Sequence, residues 1–322
     1  MSMRAPETVA STRPDLGALA LRYALVLILA VFIVLLGLTN ASFLTLSNFN
    51  VILQQVAANA LLATGATFVI LTGGIDLSVG SIVGLAGVVA ALIAQADGTA
   101  PMLGAIAGGV GAGVAIGVIN GALVAIARVP PFVATLGNMT IALGIAYVLS
   151  EGQPISGLSD QFLAISGPLG GVPIPVLTML AVVLIAWFIL ARTRFGMRVY
   201  AVGGNAHAAR MAGVHVRFVR FVVYVVSGGL AGTLLASRTT AGIATTGTGY
   251  ELNAIAAAVI GGISLMGGRG SVIGTVFGFM IIGVLDNGLN IINVSPFYQL
   301  IIKGVIIIGA VFIDSYLNQK EE

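Results

Sequence analysis

The stretch VPIPVLTMLAVVLIAWFILA occupies residues 172–191 and is followed at once by RTRFGMR at residues 192–198. Twenty apolar residues in a helix are about 30 Å long, which matches the hydrocarbon thickness of a bilayer. The rest of the chain has the same character, because 58% of its 322 residues are hydrophobic and only 8% are charged. Lipid requires every backbone polar group to be satisfied within the protein. The sequence therefore predicts an all-α fold, a polytopic transmembrane helical bundle.

Apolar stretches of this kind recur along the chain. We predict about ten spans, at residues 18–38, 51–72, 79–95, 102–127, 132–150, 172–191, 218–237, 253–266, 271–292 and 297–314. The eighth is too short to cross unaided and is expected to be a broken or half-crossing helix buried among its neighbours. The third and fourth are glycine-rich and are also candidates for broken helices, so the expected range is eight to ten crossings.

Basic residues indicate the orientation of the bundle. Six of the 14 Lys and Arg residues lie between Arg192 and Arg220, and short loops rich in Lys and Arg stay on the cytoplasmic side. If both termini are cytoplasmic, 12 of the 14 fall on that side, Arg238 falls outside and Lys303 lies within a span. The expected organisation is a cytoplasmic N-terminal segment at residues 1–17, a transmembrane domain at 18–315 containing a cytoplasmic loop at 192–217, and a cytoplasmic tail at 316–322.

The sequence also excludes several kinds of chemistry. Without cysteine there are no disulfides, thiol nucleophiles or cysteine metal sites, and no phosphate-cradling G-x-x-x-x-G-K-[ST] motif is present. The two histidines, His207 and His215, have no acidic ligand nearby and are expected to be surface residues. We therefore expect no catalysis, bound cofactor, bound metal or nucleic-acid partner, and the energy for any active transport must come from elsewhere.

Within the basic loop, one segment has the signals of a short capped helix. Asn205 is a favourable N-cap residue, and Gly213 is a favourable residue just beyond a helix C-terminus. A short polar helix displayed between two spans suits insertion into a groove of a partner protein. The alternative interpretation, charge that only sets orientation, explains the arginines but not the caps. The whole segment comprises Asn205, Ala206, His207, Ala208, Ala209, Arg210, Met211, Ala212 and Gly213.

A second segment, GGIDLS at residues 73–78, precedes a predicted helix. Asp76 or Ser78 is placed to cap the first turn of that helix, where a carboxylate also faces the positive end of the helix dipole. The alternative is a gate or hinge, because Gly73 and Gly74 would let the chain bend. A weak echo, GGISLM at residues 261–266, raises the possibility of an internal duplication.

Charged side chains within the spans are expensive and are usually paired or functional. Asp286 and Lys303 are predicted to pair across adjacent antiparallel helices, either as a structural ion pair or as an ion relay. Polar side chains within spans are candidates to line a pathway for a hydroxylated solute, with helix–helix hydrogen bonding as the alternative. These pathway candidates are Gln54, Asn59, Asn120, Asn138, Asn287 and Asn290.

Four stretches of the sequence resemble the motifs of a known protein family. They are ILTGGIDLSVGS at residues 70–81, VGGN at 202–205 with ARMAG at 209–213, GTGYELNAIAA at 247–257 with Gly261 and Gly262, and NGLN at 287–290 with Lys303. Through these stretches, and over about residues 45–315, the chain resembles the ribose-type permease family of bacterial ABC sugar importers.

This resemblance implies a set of partners. It implies a membrane subunit that pairs with a second permease subunit, identical or paralogous, around a central pathway. It further implies a periplasmic sugar-binding protein and a cytoplasmic ATPase with two nucleotide-binding domains, which would hold ATP and Mg. In the family the Gly-Asn-x-x-Ala-Ala-Arg segment is the ATPase-coupling helix, which corresponds here to Asn205–Gly213. This chain has His207 where an acidic residue is frequent.

The expected function is therefore that of a permease subunit in the bacterial inner membrane. It would translocate a monosaccharide, such as a ribose-like pentose, a hexose or a polyol, by alternating access driven by the separate ATPase. The alternative is a secondary transporter that uses an ion gradient, with Asp286 and Lys303 as the relay.

Overall fold

The computed structural model describes residues 16–230 and 240–319, and the predicted positions of Arg4, Arg13, Arg238 and Lys320 lie outside these ranges. The helices are α1 (Leu16–Thr39), α2 (Leu46–Leu71), α3 (Val79–Ala94), α4 (Thr99–Gly121), α5 (Pro131–Ser150), α6 (Asp160–Leu163), α7 (Ile174–Arg192), α8 (Arg194–Gly204), α9 (Ala206–Met211), α10 (Val216–Gly229), α11 (Tyr250–Ile260), α12 (Val272–Ile291) and α13 (Pro296–Gln319). Shorter elements are 3-10 turns at Ala41–Leu44 and Ala164–Ser166, a π-helical turn at Ala122–Ile126, and strands β1 (Pro168–Leu169) and β2 (Val172–Pro173). The predicted all-α membrane bundle is confirmed.

Each of the ten predicted spans overlaps a helix of the bundle. In the described part of the chain, five helical stretches are long and apolar enough to cross a membrane, at Leu46–Leu71, Pro101–Ile126, Pro131–Ser150, Ile174–Arg192 and Val272–Ile291. Helix α11 has 11 residues and is about 17 Å long. The prediction that this segment is too short to cross unaided is confirmed.

The core of the bundle is built around α2 and α12. Over an apolar stretch of 18 residues, 72% of the residues of α2 and of α12 are buried, whereas 28% are buried in the corresponding stretches of α4, α5 and α7. Helix α2 contacts α7, α10, α11 and α12, which explains why it is hydrophobic on all sides rather than on one stripe. On the helices around this core, large apolar side chains such as Val148 face outward, as expected for contact with lipid or with another subunit.

A glycine stripe brings α4 and α10 into backbone contact. Gly113, Gly117 and Gly121 recur every four residues and so share one face of α4. A Cβ atom at Gly117 would lie 2.6 Å from the Tyr224 carbonyl oxygen, and one at Gly121 would lie 2.8 Å from that of Phe221. Small residues permit this approach between membrane helices. The stripe holds α10 in place and therefore positions Tyr224, which is fully buried.

Residues 241–248 form an irregular segment that runs along α3. Cβ atoms at Gly80 and Gly84 would overlap the carbonyl oxygens of Gly247 and Ala244. Irregular backbone is tolerated at membrane depth where it is enclosed by protein. A Cβ atom at Gly80 would also overlap the Glu251 carboxylate, which lies beside the first turn of α3.

Helices α2 and α11 end in the same way. Gly73 N donates to Ile70 O and Gly74 N donates to Val69 O, while Gly262 and Ile263 make the matching bonds to Val259 O and Ala258 O. Gly73 and Gly262 have φ values of 74° and 84°, a conformation that glycine adopts without strain. The two GGI segments thus form the same C-terminal capping motif. The left-handed glycine is the first glycine of the first segment, Gly73, and the second glycine of the other, Gly262. The possible internal duplication stays a prediction.

The loop between α5 and α7 is held against the bundle. Strands β1 and β2 pair antiparallel, with Pro168 opposite Pro173 and Leu169 opposite Val172. Ser159 N donates to Ala94 O at the end of α3. The loop is therefore an ordered cover over the end of the bundle opposite α8 and α9.

Candidate coupling helix and buried polar network

Helix α9 is closed by side-chain and backbone caps at its two ends. The Asn205 side chain accepts hydrogen bonds from His207 N at 3.0 Å and from Ala208 N at 2.9 Å. At the other end Gly213 has a φ of 83°, and Gly213 N and Val214 N donate to the Arg210 and Ala209 carbonyl oxygens, both at 3.0 Å. This is the Schellman arrangement. The predicted N-cap and C-terminal glycine are confirmed, and the role of the helix in coupling stays a prediction.

Helix α9 presents most of its surface away from the bundle. Ala209 is buried, whereas His207, Ala208, Arg210 and Met211 are exposed. Met211 is 78% exposed, and two further methionines, Met197 and Met266, are 65% and 80% exposed. Methionine is flexible and suits adaptable protein contacts. We call the end of the bundle that carries α8, α9 and residues 261–271 the basic end. Its surface has both arginines and exposed methionines.

Three glycine pairs meet directly behind α9. We define the glycine junction as Leu71–Gly74, Gly203–Gly204 and Gly267–Gly268. Gly268 N donates to Leu71 O at 2.9 Å. A Cβ atom at Gly203 would overlap the same Leu71 carbonyl oxygen, and one at Gly267 would lie 2.7 Å from Gly73 N. Three backbone segments are therefore in direct contact immediately before the N-cap of α9.

Helix α8 is attached to the same junction through a side chain. Tyr200 OH donates to the Gly270 carbonyl oxygen at 3.0 Å. Partial burial raises the pKa of the Tyr200 phenol, so the donor proton is retained at neutral pH. The 267–270 segment is thus held to α8 by a side-chain bond as well as by glycine packing.

Asp76 lies at the centre of a buried polar network. Its Oδ1 accepts from Ser78 N at 3.0 Å and from Ser78 Oγ at 2.6 Å, and its Oδ2 accepts from Ser227 Oγ at 2.9 Å. The three residues are 2%, 0% and 1% exposed. The network therefore connects the α2–α3 linker to α10. The Ser78 side chain makes no capping bond to α3, so the prediction is wrong for Ser78. Asp76 does accept from the backbone N–H of Ser78, the residue just before the first turn of α3.

The same network extends to α4 and α5. Asn120 Nδ2 donates to Ser78 Oγ at 2.7 Å, and Asn138 Nδ2 donates to Asn120 Oδ1 at 2.6 Å. Asn120 and Asn138 are 0% and 2% exposed. These two pathway candidates are brought together, but their polar groups are used in hydrogen bonds between helices. For these two residues the structure therefore shows hydrogen bonding between helices, the alternative to lining a pathway.

The other pathway candidates lie elsewhere in the bundle. Asn287 and Asn48 exchange two side-chain hydrogen bonds, at 3.0 and 2.9 Å. Asn290 Oδ1 accepts from Gln299 Nε2 at 2.8 Å. Asn59 is 9% exposed on α2, and Gln54 is half-buried on the same helix. The six candidates therefore do not converge on one site, and a role in a pathway stays a prediction.

Asp286 and Lys303 face each other across α12 and α13. Lys303 Nζ lies 2.9 Å from Asp286 Oδ2. The Lys303 side chain is 21% exposed and the Asp286 side chain is 7% exposed. The second oxygen, Asp286 Oδ1, is buried and has no hydrogen-bond partner among the residues that the structure describes. A buried carboxylate with only one partner depends strongly on that partner.

Replacement of Lys303 by methionine is expected to lower the free energy of unfolding by about 3 kcal/mol, because it leaves the Asp286 carboxylate unpaired. The double variant Asp286→Leu/Lys303→Met should recover most of this loss. Unfolding in detergent, followed by helix signal, measures both. A single variant as stable as the native chain would show that the pair has no structural role.

Three residues around Asp76 and Ile75 were not predicted from the sequence. Tyr224 OH donates to the Ile75 carbonyl oxygen at 3.3 Å, and Thr135 Oγ1 contacts the same oxygen at 3.4 Å. Ser227 completes the Asp76 site. Serine, threonine and tyrosine inside an apolar helix are common, so no local pattern distinguishes these three. Within the described ranges, no cluster of three or more His, Cys, Asp or Glu residues could hold a metal ion.

Comparison with known proteins identifies the family. The family described as "Branched-chain amino acid transport system / permease component" matches residues 48–311. The ribose import permease protein of Bacillus subtilis strain 168 is 46% identical over 293 residues, which are 89% of this chain and 90% of that protein. No solved structure matches the chain.

Two further relatives are found in Escherichia coli strain K12. Its ribose import permease protein is 42% identical over 324 residues, 98% of this chain and 99% of that protein. Its D-allose transport system permease protein is 41% identical over 303 residues, 92% of this chain and 93% of that protein. The family match at residues 48–311 runs from the first turn of α2 to beyond α12 and includes the buried network, the glycine junction and α9. The chain therefore belongs to this family of transport-system permease components.

Proposed function

We propose that the chain is the membrane-spanning permease subunit of an ATP-driven importer for a monosaccharide. The observation that supports this most strongly is the similarity to two ribose permeases and one allose permease over at least 89% of this chain. All three relatives carry sugars that present several hydroxyl groups and no charge. A ribose-like pentose, a hexose or a polyol is accordingly the proposed substrate class.

The proposed location is the bacterial inner membrane, with both termini and the basic end in the cytoplasm. Arg128, Arg192, Arg194, Arg198 and Arg210 all belong to turns or helices of that end, together with Arg217, Arg220 and Arg269. The positive-inside rule supports this orientation. The ordered α5–α7 loop would then face the periplasm and a sugar-binding protein.

The proposed partners are a second permease subunit, a periplasmic binding protein and a cytoplasmic ATPase with two nucleotide-binding domains. ATP and Mg would be held by the ATPase and not by this chain. The capped helix α9 supports this arrangement. A helix of six residues is normally unstable at an exposed surface, and the caps at its two ends stabilise it. Exposed methionines around it supply adaptable contact area.

Coupling follows from the contacts behind α9. Closure of the ATPase would push α9 and, with it, Gly203 and Gly204. The glycine junction passes this displacement to Leu71–Gly74, which leads to Asp76 and thus to α4, α5 and α10 through the buried network. A rigid shift of these helices switches which side of the bundle is open.

The ion-gradient alternative is not supported by the family, whose members are permease components of transport systems. The structure also gives Asp286 a direct lysine partner at 2.9 Å. A fixed ion pair of this kind is suited to holding two helices together. Asp286 and Lys303 are accordingly assigned a structural role in this proposal.

The double variant Ala208→Glu/Arg210→Glu tests the role of α9. It leaves Asn205, Gly213 and buried Ala209 in place, so the helix should still form. In the reconstituted complex with its ATPase and binding protein, sugar uptake is expected to fall about tenfold or more, with the chain still inserted and paired. Uptake is measured with radiolabelled sugar.

Arg198→Glu is the matched control, because it reverses an exposed charge on α8 without touching α9. It should retain uptake within about a factor of two. Normal uptake by the double variant would refute the assignment of α9 as the coupling helix.

A further inference from the structure

A concave basic pocket lies beside α9. Its volume is about 330 Å³, and its walls come from the α2–α3 linker, the α4–α5 turn, α9 and α10. Thr72, Gly73 and Gly74 form one wall, so the pocket adjoins the glycine junction. We refer to this cavity, with its four arginines Arg128, Arg210, Arg217 and Arg220, as the basic pocket.

The four arginines reach the pocket from three separate segments of the chain. Arg128 lies on the α4–α5 turn, Arg210 lies on α9, and Arg217 and Arg220 are three residues apart on one face of α10. No acidic residue is among the described residues that line the cavity. In the described part of the chain, none of the four makes a salt bridge within 4.0 Å.

The turn that carries Arg128 has an unusual backbone. Arg128 has a φ of 61°, a left-handed conformation that disfavours residues with a side chain. It follows the π-helical turn at Ala122–Ile126 and precedes Pro130 and Pro131. Such strain persists only where the surroundings maintain it. The chain therefore holds a fourth positive charge in the pocket against a backbone preference.

Orientation of the protein in the membrane explains why arginines are frequent at this end, but not why four converge on one cavity. Like charges brought together repel each other, and a bound anion relieves that repulsion more directly than screening by water and salt does. The guanidinium group binds a carboxylate through two parallel hydrogen bonds. The pocket thus has the chemistry of a receptor for a carboxylate side chain.

We propose that the basic pocket receives an aspartate or glutamate side chain of the cytoplasmic ATPase subunit. This inference rests on the proposed function and identifies a further contact of the ATPase, in a pocket that α9 shares with α10 and the α4–α5 turn. Arg210 supports a protein occupant, because it lies on a helix whose neighbours His207, Ala208 and Met211 are all exposed. Through Gly73 and Gly74, an acid bound here would act directly on the α2–α3 linker.

The test exploits the scarcity of lysine, since the chain has only Lys303 and Lys320. Arg217→Lys keeps the charge and places a new amine in the basic pocket. Treatment of the purified complex with a carbodiimide joins amines to carboxylates at contact distance, and mass spectrometry identifies the joined peptides. We expect a peptide that links Lys at position 217 to an aspartate or glutamate of the ATPase.

A second measurement is the affinity of the ATPase for the permease in lipid nanodiscs. Arg217→Glu should weaken it about tenfold or more, whereas Arg194→Glu, an exposed charge reversal outside the pocket, should change it less than about twofold. The loss should be the same in zwitterionic lipid and in lipid containing phosphatidylglycerol.

The outcomes are distinct. A link to an acid of this chain's own termini would overturn the proposal, as would the absence of any link combined with native affinity of Arg217→Glu. A loss of affinity that requires phosphatidylglycerol would assign the pocket to a lipid headgroup and also overturn it. If the native chain binds no ATPase at all, the proposed function itself fails.

Discussion

Gly203→Ala is expected to reduce sugar uptake about tenfold or more and to lower the stability of the purified chain. Alanine normally stabilises a helix by about 0.5–1 kcal/mol relative to glycine. At this position, however, the added Cβ atom would overlap the Leu71 carbonyl oxygen and approach Gly268 N. Both obstacles are backbone atoms and cannot rotate away. The helix must move, and overpacking of this kind costs about 1–3 kcal/mol.

Gly204→Ala provides a matched control one residue away. A Cβ atom at Gly204 would meet no atom of the described residues within 4 Å, so uptake and thermal stability should stay close to those of the native chain. Both variants are measured by thermal unfolding in detergent and by uptake in proteoliposomes. Equal behaviour of the two variants would contradict the glycine junction as a transmission point.

Asp76→Ala is expected to lower the free energy of unfolding by about 3 kcal/mol and to abolish uptake. The change removes the acceptor for Ser78 N, Ser78 Oγ and Ser227 Oγ. The two serines are 0% and 1% exposed, so water does not replace the lost partner. Each buried donor left without an acceptor costs about 1–3 kcal/mol.

Asp97→Ala is the control for this change, because Asp97 is exposed in the turn after α3. It removes an equally sized acid and should alter stability by less than about 0.5 kcal/mol. Asp76→Asn should lie between the two, since it keeps the shape and one acceptor oxygen. Native stability of Asp76→Ala would show that the network does not hold the α2–α3 linker to α4, α5 and α10.

The sequence predicted those features whose causes are local. Apolar runs of about 20 residues identified the membrane helices, because lipid leaves no other way to satisfy the backbone. Asn205 and Gly213 were recognised as caps of α9, since a cap depends on residues within four positions. The short α11 was also anticipated from its length alone.

Features that depend on distant residues could not be predicted. One oxygen of Asp76 accepts from the backbone at the start of α3, as a local pattern can indicate, but its second oxygen is bound by Ser227, 151 residues later. The contact between Gly203 and Leu71 likewise joins two segments that have no common pattern in the sequence. Glycine pairs occur at many positions of this chain, so their convergence behind α9 becomes visible only in three dimensions.

ATP-driven uptake in proteoliposomes tests the central claim most directly. The permease is reconstituted with its ATPase and binding protein, and radiolabelled sugar is supplied on the side of the binding protein. We predict that sugar accumulates with ATP and Mg, that a non-hydrolysable ATP analogue prevents accumulation, and that a proton or sodium gradient alone has no effect. Accumulation driven by an ion gradient without ATP, and lost in Asp286→Asn, would contradict the account.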